Sequence, residues 1–213
     1  MTMIKHHLSD ALLLGYAAGT LPEAFGLIAA THVTLCDDCR TRLAALEAVG
    51  GAVVESQDTA PMSDGALERT LSRLPAPQLR TPSQPRHGVF PAPLQSYVGG
   101  DLDAVRWKTL GMGVRQAILP TSKGAMARLL HIPAGRVVPD HGHRGIELTL
   151  VLSGAFHDSV DRFGPGDLEI ANSDLVHTPI AEPGVACICL AATNAPLRFN
   201  SLVPRLLQPI FRI

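Results

Sequence analysis

Aromatic residues are scarce, at 4% of the chain with a single Trp among 213 residues. Base stacking needs more of them, and a formal net charge of −1 gives no general electrostatic hold on a polyphosphate. Direct nucleic-acid binding is therefore not expected. No apolar run approaches the roughly 18 residues that a membrane span requires. The N-terminus, MTMIKHHLSD, lacks the apolar stretch of a signal peptide. These absences point to a cytoplasmic protein with no membrane partner. Cysteine is limited to four residues, in two close pairs at 36/39 and 187/189. In a reducing compartment such pairs read as metal or redox chemistry before a disulfide framework.

What is present divides in two. Hydrophobic residues reach 46% and charged residues 17%, the composition of a globular chain, and the length suits one large domain or two small ones. Six of the 17 prolines fall between Pro75 and Pro93. That stretch reads as a semi-rigid linker, not as helix or central strand. Residues 1–80 carry six Lys+Arg against nine Asp+Glu, and residues 81–213 carry twelve against ten. The N-terminal side has helical pattern. Ser9 caps a helix over Asp10–Ala18, and a second starts at Leu21, with Pro22 and Glu23 in its first turn, and runs to about Cys36. A third extends from Asp37 or Asp38 to Gly50-Gly51. Ser63 caps a fourth, whose Leu67, Leu71 and Leu74 share one face. The C-terminal side changes period: MARLLHIPAG, IELTLVLSG, DLEIA and VACICLAAT are short apolar runs between turn residues, as in an all-β sandwich or barrel. The expected fold is an all-α bundle over 1–80, a linker over 81–95 and a β-barrel over 96–213. The tail RFNSLVPRLLQPIFRI reads as a last strand followed by a short docked segment.

His32, Cys36 and Cys39 form H-x3-C-x2-C. The first two lie one helical turn apart, and Cys39 follows across a turn. Two thiolates and an imidazole suit tetrahedral Zn²⁺, which needs a fourth ligand. His6 and His7 are the other histidines in this half. The bland alternatives are a buried Cys pair with a surface His, or a redox CxxC lacking its βαβ setting. The segment HHLSDALLLGYAAGTLPEAFGLIAATHVTLCDDCR resembles the zinc-binding anti-sigma (ZAS) domain, in which an upstream His just before an x-S-D segment completes H-x3-C-x2-C on a small helical bundle. The resemblance covers about residues 5–75 and selects His7, which precedes Leu8-Ser9-Asp10, over His6.

The second constellation is Gly135-RVVPD-His141-Gly142-His143-RGI-Glu147-LTLVLS-Gly154, which matches the first cupin motif, G-x5-H-x-H-x3-E-x6-G. His141 and His143 stand two apart, so in a strand both face the same way, and Glu147 keeps that parity. His177 is the expected later ligand. The second cupin motif is degenerate around it: Gly166 and His177 match, whereas Asn172, Asp174 and Ala181 replace Pro, Gly and Asn. A His3Glu set suits zinc, and equally iron, manganese or nickel. Cys187 and Cys189 lie two apart on an apolar strand, their α-carbons about 6.6 Å apart at ~3.3 Å per residue. They read as buried small hydrophobes or as an oxidisable pair near the metal.

The whole chain resembles the anti-sigma factors of the singlet-oxygen response, a family that joins a ZAS domain to a cupin. The resemblance implies a 1:1 complex with an extracytoplasmic-function (group IV) sigma factor, kept from core RNA polymerase and released when singlet oxygen is sensed through the cupin. It implies two metal sites and no catalysis. Leu67, Leu71 and Leu74 then become a possible partner face, unless that helix packs back on the others. The rival reading is a metal-dependent cupin enzyme, a dioxygenase or isomerase, with a helical appendage.

Overall fold

The computed structural model describes residues 3–75 and 88–199. His87, most of the Pro-rich stretch and the tail beyond Phe199 lie outside the described residues. The N-terminal half is helical: α1 (Asp10–Ala17), α2 (Glu23–Leu35), α3 (Asp37–Glu55) and α4 (Ala66–Ser72). Ser9 caps α1 as expected, its side chain accepting the Leu12 N–H at 3.3 Å. Cys36 ends α2 and begins α3: its N–H donates to the His32 carbonyl at 2.8 Å, and its sulfur accepts the Cys39 N–H at 3.5 Å.

Three boundaries differ from the sequence reading. Ser63 does not cap α4: the helix starts at Ala66 after Gly65, which takes the left-handed conformation at φ +69°, and the Ser63 hydroxyl accepts the Arg69 guanidinium at 2.7 Å instead. Helix α3 continues through Gly50-Gly51 to Glu55. Neither glycine takes a left-handed conformation, so the pair costs the helix about 1 kcal/mol per residue without ending it. The remaining difference is α5 (Ala92–Val98), which begins inside the stretch read as linker. Pro91 caps it and Pro93 sits in its first turn, where a missing N–H is no loss. A short 3-10 turn, Leu102–Ala104, follows.

The C-terminal half is β-rich. Strands β1 (Lys108–Gly111), β2 (Val114–Ile118), β3 (Met126–Ile132), β5 (Glu147–Ser153), β8 (Leu168–Ala171) and β11 (Cys187–Thr193) form one sheet in the order β1-β2-β3-β11-β5-β8. Strands β6 (Phe156–His157), β7 (Arg162–Phe163) and β10 (Ile180–Ala181) form a second. Strands β4 (His141–Gly142), β9 (Val176–His177) and β12 (Arg198–Phe199) form a third. All pairings are antiparallel among the described strands. Gly154 turns the chain between β5 and β6 with φ +69°. A Cβ there would meet the Ala186 carbonyl at 2.5 Å, so only glycine fits.

Strand alternation gives the large sheet two buried faces. Leu129, Leu148, Leu150, Ile188 and Leu190 point outward, into one core with Phe25, Ile28, Leu43 and Leu94 of the helices. Ile132, Val151, Cys187 and Cys189 point inward, toward Phe156 and Phe163 of the second sheet. The helical half is therefore seated on the outer face of the β half. Glu23 fixes one end of this contact. Its carboxylate accepts the Tyr97 hydroxyl of α5 at 2.7 Å and the Ser122 N–H of the β2–β3 loop at 2.6 Å.

A continuous core predicts joint unfolding. Ile28 is fully buried in it, so Ile28→Ala should cost about 2–5 kcal/mol. The far-UV helical signal and the fluorescence of Trp107, which packs beside the β half, should shift to the same lower midpoint. A helical transition that moves while that of Trp107 stays would show that the two halves unfold separately.

Candidate metal centres

The first centre gathers around the α2–α3 junction. His32 comes from the last turn of α2, Cys36 from the junction and Cys39 from the first turn of α3, while His7 arrives on the extended segment before α1. His7 Nδ1 lies 3.2 Å from Cys36 Sγ and 3.7 Å from Cys39 Sγ, and His32 Nε2 lies 3.3 Å from Cys39 Sγ. A tetrahedral ion with ~2.3 Å bonds to sulfur and ~2.0 Å bonds to nitrogen holds such atoms about 3.5 Å apart. All four donors fall within 4.8 Å of one another, so the set fits one ion. Burial, and next the charge of His7, push His32 down to about 4, leaving its ring neutral and free to ligate. Burial also pushes the Cys39 thiol up to about 11, with Cys36 beside it adding to the rise. A bound dication would reverse that preference by stabilising the thiolate.

His6 goes elsewhere. Its ring packs on Phe163 at 4.4 Å between centroids, with Nε2 3.1 Å from Asp161 and Nδ1 3.4 Å from Asp167. The segment is held against the β half by backbone bonds: Lys5 and His6 N–H donate to Asp167 at 2.7 and 3.0 Å, and the His6 carbonyl accepts the Leu168 N–H at 3.2 Å. Neighbouring residues of an extended segment point to opposite sides. With His6 on the sheet side, His7 faces the helices.

The second centre lies between the small third sheet and the inner face of the large one. Strands β4 and β9 pair His141 opposite His177. His177 Nε2 is 3.2 Å from His141 Nε2 and 3.3 Å from His143 Nε2. Tetrahedral bonds of ~2.0–2.1 Å set nitrogens about 3.3 Å apart, so the three rings converge as ligands do. Each Nδ1 is turned away onto an oxygen. His141 meets the Pro139 carbonyl at 2.8 Å, His143 meets Glu147 at 3.3 Å, and His177 meets Asp158 at 2.8 Å and Glu169 at 3.1 Å. Such outer contacts fix tautomer and ring orientation.

Glu147, read from sequence as a fourth ligand, thus lies on the far side of His143, outside the converging nitrogens. Asp158 and Glu169 were missed. Glu169 left a trace, a lone acid inside the apolar strand LEIA, whereas Asp158 sits in a polar turn that carries no such mark. Burial works against charge on Glu147, but the contact with His143 and the nearby His141 and Arg128 hold it below the usual carboxylate range. Burial raises Glu169, and the charge of Asp158 adds to that. Burial alone would lower His177, yet Glu169 and Asp158 raise it to about 9. Three carboxylates thus surround the rings, with Arg128 near Glu147, an excess of acid that a divalent cation would offset.

Cys187 and Cys189 sit on the same inner face as free thiols, their sulfurs 3.4 Å apart. The hydrogen bond it shares with Cys187, followed by burial, pushes Cys189 well above the ordinary thiol range, which disfavours the reactive thiolate. Leu67, Leu71 and Leu74 are 64%, 55% and 62% exposed, and α4 has no buried residue. Among the described residues, this helix does not pack back on the others. Val49, Val53 and Val54 extend the exposed apolar surface along the second half of α3.

Two outcomes are expected at the centres. His7→Ala should remove about one metal ion per chain by elemental analysis while His6→Ala retains it; the reverse would move the ligand to His6. Asp158→Ala should weaken metal binding at the second centre by roughly 10–100-fold in a chelator competition. An unchanged affinity would deny Asp158 its orienting role.

Comparison with known proteins places this geometry. Residues 95–196 match the ChrR cupin-like domain family. Over 216 aligned residues, 99% of both chains, the sequence is 60% identical to the anti-sigma-E factor ChrR of Cereibacter sphaeroides (strain ATCC 17023). The structure superposes on the crystal structure of Rhodobacter sphaeroides SigE in complex with the anti-sigma ChrR with a TM-score of 0.80 and 59% identity, covering 90% of this chain and 99% of that one. With such a match across both halves, the chain belongs to the ChrR family of anti-sigma factors.

Proposed function

We propose that the chain binds an extracytoplasmic-function sigma factor as a 1:1 heterodimer and keeps it from core RNA polymerase, which makes it a negative regulator of transcription in the cytoplasm. The observation that carries this reading is the bare apolar surface of α4 and the end of α3. Leu67, Leu71, Leu74 and the valines of α3 stand in solvent, whereas other helical leucines, such as Leu13, Leu27 and Leu43, are buried. A surface of this kind belongs against a partner. The full-length match to an anti-sigma factor sets aside the reading of a cupin enzyme with a helical appendage.

In this reading the division of labour follows the chain. Residues 1–80 supply the sigma-binding unit, residues 81–95 the connection and residues 96–213 the sensing unit. His7, His32, Cys36 and Cys39 hold structural zinc, which supplies four bonds that tie the N-terminal segment to the α2–α3 junction. His141, His143 and His177 hold a second ion, zinc by analogy of donor type, with Glu147, Asp158 and Glu169 orienting the rings. Singlet oxygen adds to imidazoles, so this cluster is the chemically sensitive part of the chain. Loss of one ring from it leaves buried carboxylates without their counter-charge. Sigma is released when the β half, so altered, no longer seats the helices. Cys187 and Cys189, buried as thiols, fill the core.

The test pairs two variants of the full chain co-expressed with its sigma factor. Leu71→Asp should reduce sigma co-purification at least tenfold, about 1.4 kcal/mol or more, and restore sigma-dependent transcription. His141→Ala should leave sigma bound and silent, while the reporter no longer rises under a singlet-oxygen source. Undiminished binding by Leu71→Asp would remove the proposed surface, and a normal response in His141→Ala would remove the sensing role.

A further inference from the structure

We propose that His177 is a positioning residue for the first metal centre as well as a ligand of the second: through the stretch from Asp158 to Glu169, its ring holds the N-terminal segment that presents His7. The inference rests on the reading of both clusters as metal centres.

The rings of the second centre are anchored in different places. His141 Nδ1 meets the Pro139 carbonyl, and His143 Nδ1 meets Glu147 of β5. His177 Nδ1 instead reaches two carboxylates, Asp158 in the β6–β7 turn at 2.8 Å and Glu169 of β8 at 3.1 Å. One edge of one imidazole therefore joins the turn to the strand. All three side chains are buried. Without the ring, the two carboxylates would face each other with no donor between them, an arrangement that repulsion and lost hydrogen bonds both disfavour. Asp158 carries the turn with it, because it accepts the Val160 and Asp161 N–H groups. Glu169 carries β8, where Asp167 stands two residues earlier.

The same stretch is the bed of the N-terminal segment. Phe163 packs on the His6 ring, Asp167 accepts the Lys5 and His6 N–H groups, and the Leu168 N–H donates to the His6 carbonyl. Ile4 lies so close to Gly166 that a Cβ there would meet its Cδ1 at 2.5 Å. One residue past His7, the Leu8 carbonyl accepts Nη1 of Arg42 from α3 at 3.3 Å. His7 thus stands between an anchor on the β half and an anchor on the helices. Its Nδ1 keeps its place 3.2 Å from Cys36 Sγ while both anchors hold. Coupling needs a contact that differs between two states. Here it is the His177 edge, which clamps the turn to β8 when present and leaves like charges opposed when lost.

The test uses the full chain loaded with cobalt(II). Sulfur-to-cobalt charge transfer marks the first centre, since the converging donors of the second are all nitrogens. Competition with a chelator, followed at that band, gives the affinity of the first centre. His177→Ala should weaken it about fivefold or more. His177→Asn also removes the ligating Nε2, but it returns an amide N–H near the position from which Nδ1 donates, and should restore the affinity. His141→Ala unloads the second centre without touching the clamp and should leave the first unchanged. Asp158→Ala breaks the clamp from the other side and should act as His177→Ala does. An unchanged first centre in either His177→Ala or Asp158→Ala would overturn the proposal. So would equal weakening in His141→Ala or His177→Asn, which would make the ion of the second centre the cause and not the His177 edge. An unaltered chain without the sulfur–cobalt band would overturn the reading of the first cluster as a metal centre, and the proposal with it.

Discussion

The buried carboxylate of Asp167 is the contact on which the arrangement of the two halves turns. It accepts N–H groups from Lys5, His6 and Gly164 at 2.7, 3.0 and 2.8 Å. Three such bonds to one charge are strong, because each is charge-assisted and shielded from water. Burial would raise Asp167, but the bonds from Gly164, Lys5 and His6 outweigh it and hold it below its ordinary range. A depressed carboxylate adds stability above the unfolded-state value and loses it as pH falls through the folded one. The clasp is thus fully made at neutral pH and opens only in acid. By contrast the His6–Asp161 pair is an exposed one, with Asp161 61% accessible, and contributes little.

This clasp gives the two metal centres a common boundary. The N-terminal segment that brings His7 to the first centre lies on the start of β8, and Glu169 of the same strand contacts His177 of the second. The turn at 158–161 touches both sides: Asp158 holds His177, accepts the Val160 and Asp161 N–H groups at 2.8 and 3.1 Å, and so fixes the turn from which Asp161 reaches His6. The structure therefore offers a contiguous set of hydrogen bonds from His177 to His6, the residue before His7. Contiguity alone is not coupling, but it locates where a disturbance at His177 would first be felt.

How much could be read beforehand depended on whether the chemistry was local. H-x3-C-x2-C is set by one helix and one turn, so its spacing carried the geometry. The same holds for His141 and His143 and for the four apolar runs, which became β3, β5, β8 and β11. The choice between His6 and His7 was different. The residues are adjacent and chemically identical, and only the pairing with Asp167 and Leu168, more than 160 positions away, decides which one faces the helices. Glu147 shows what parity leaves open. Parity names a face and not a distance, and here the carboxylate lies 3.3 Å from His143 Nδ1. Helix α5 was hidden because proline density masks a helix whose prolines occupy only its cap and first turn.

The two centres differ in a way that bears on their separate roles. At the first, two sulfurs and two nitrogens lie within 4.8 Å of one another, a set that would close a tetrahedron around one ion, and three of the four residues are buried. A closed set of this kind resists exchange and suits a staple for a bundle too small to be robust alone. At the second, three histidine nitrogens converge, with Glu147 against the Nδ1 of His143, so the candidate set offers three donors. Three-ligand sites are those that meet small molecules. They also depend more on each ligand, since losing one of three removes a larger share of the binding than losing one of four. Because the buried acids Glu147, Asp158 and Glu169 are arranged around the rings rather than around solvent, damage to a ring is felt as unpaired charge inside the domain. A bundle closed by a centre of the first kind, and seated on a domain built around one of the second, would keep its shape while its support changed.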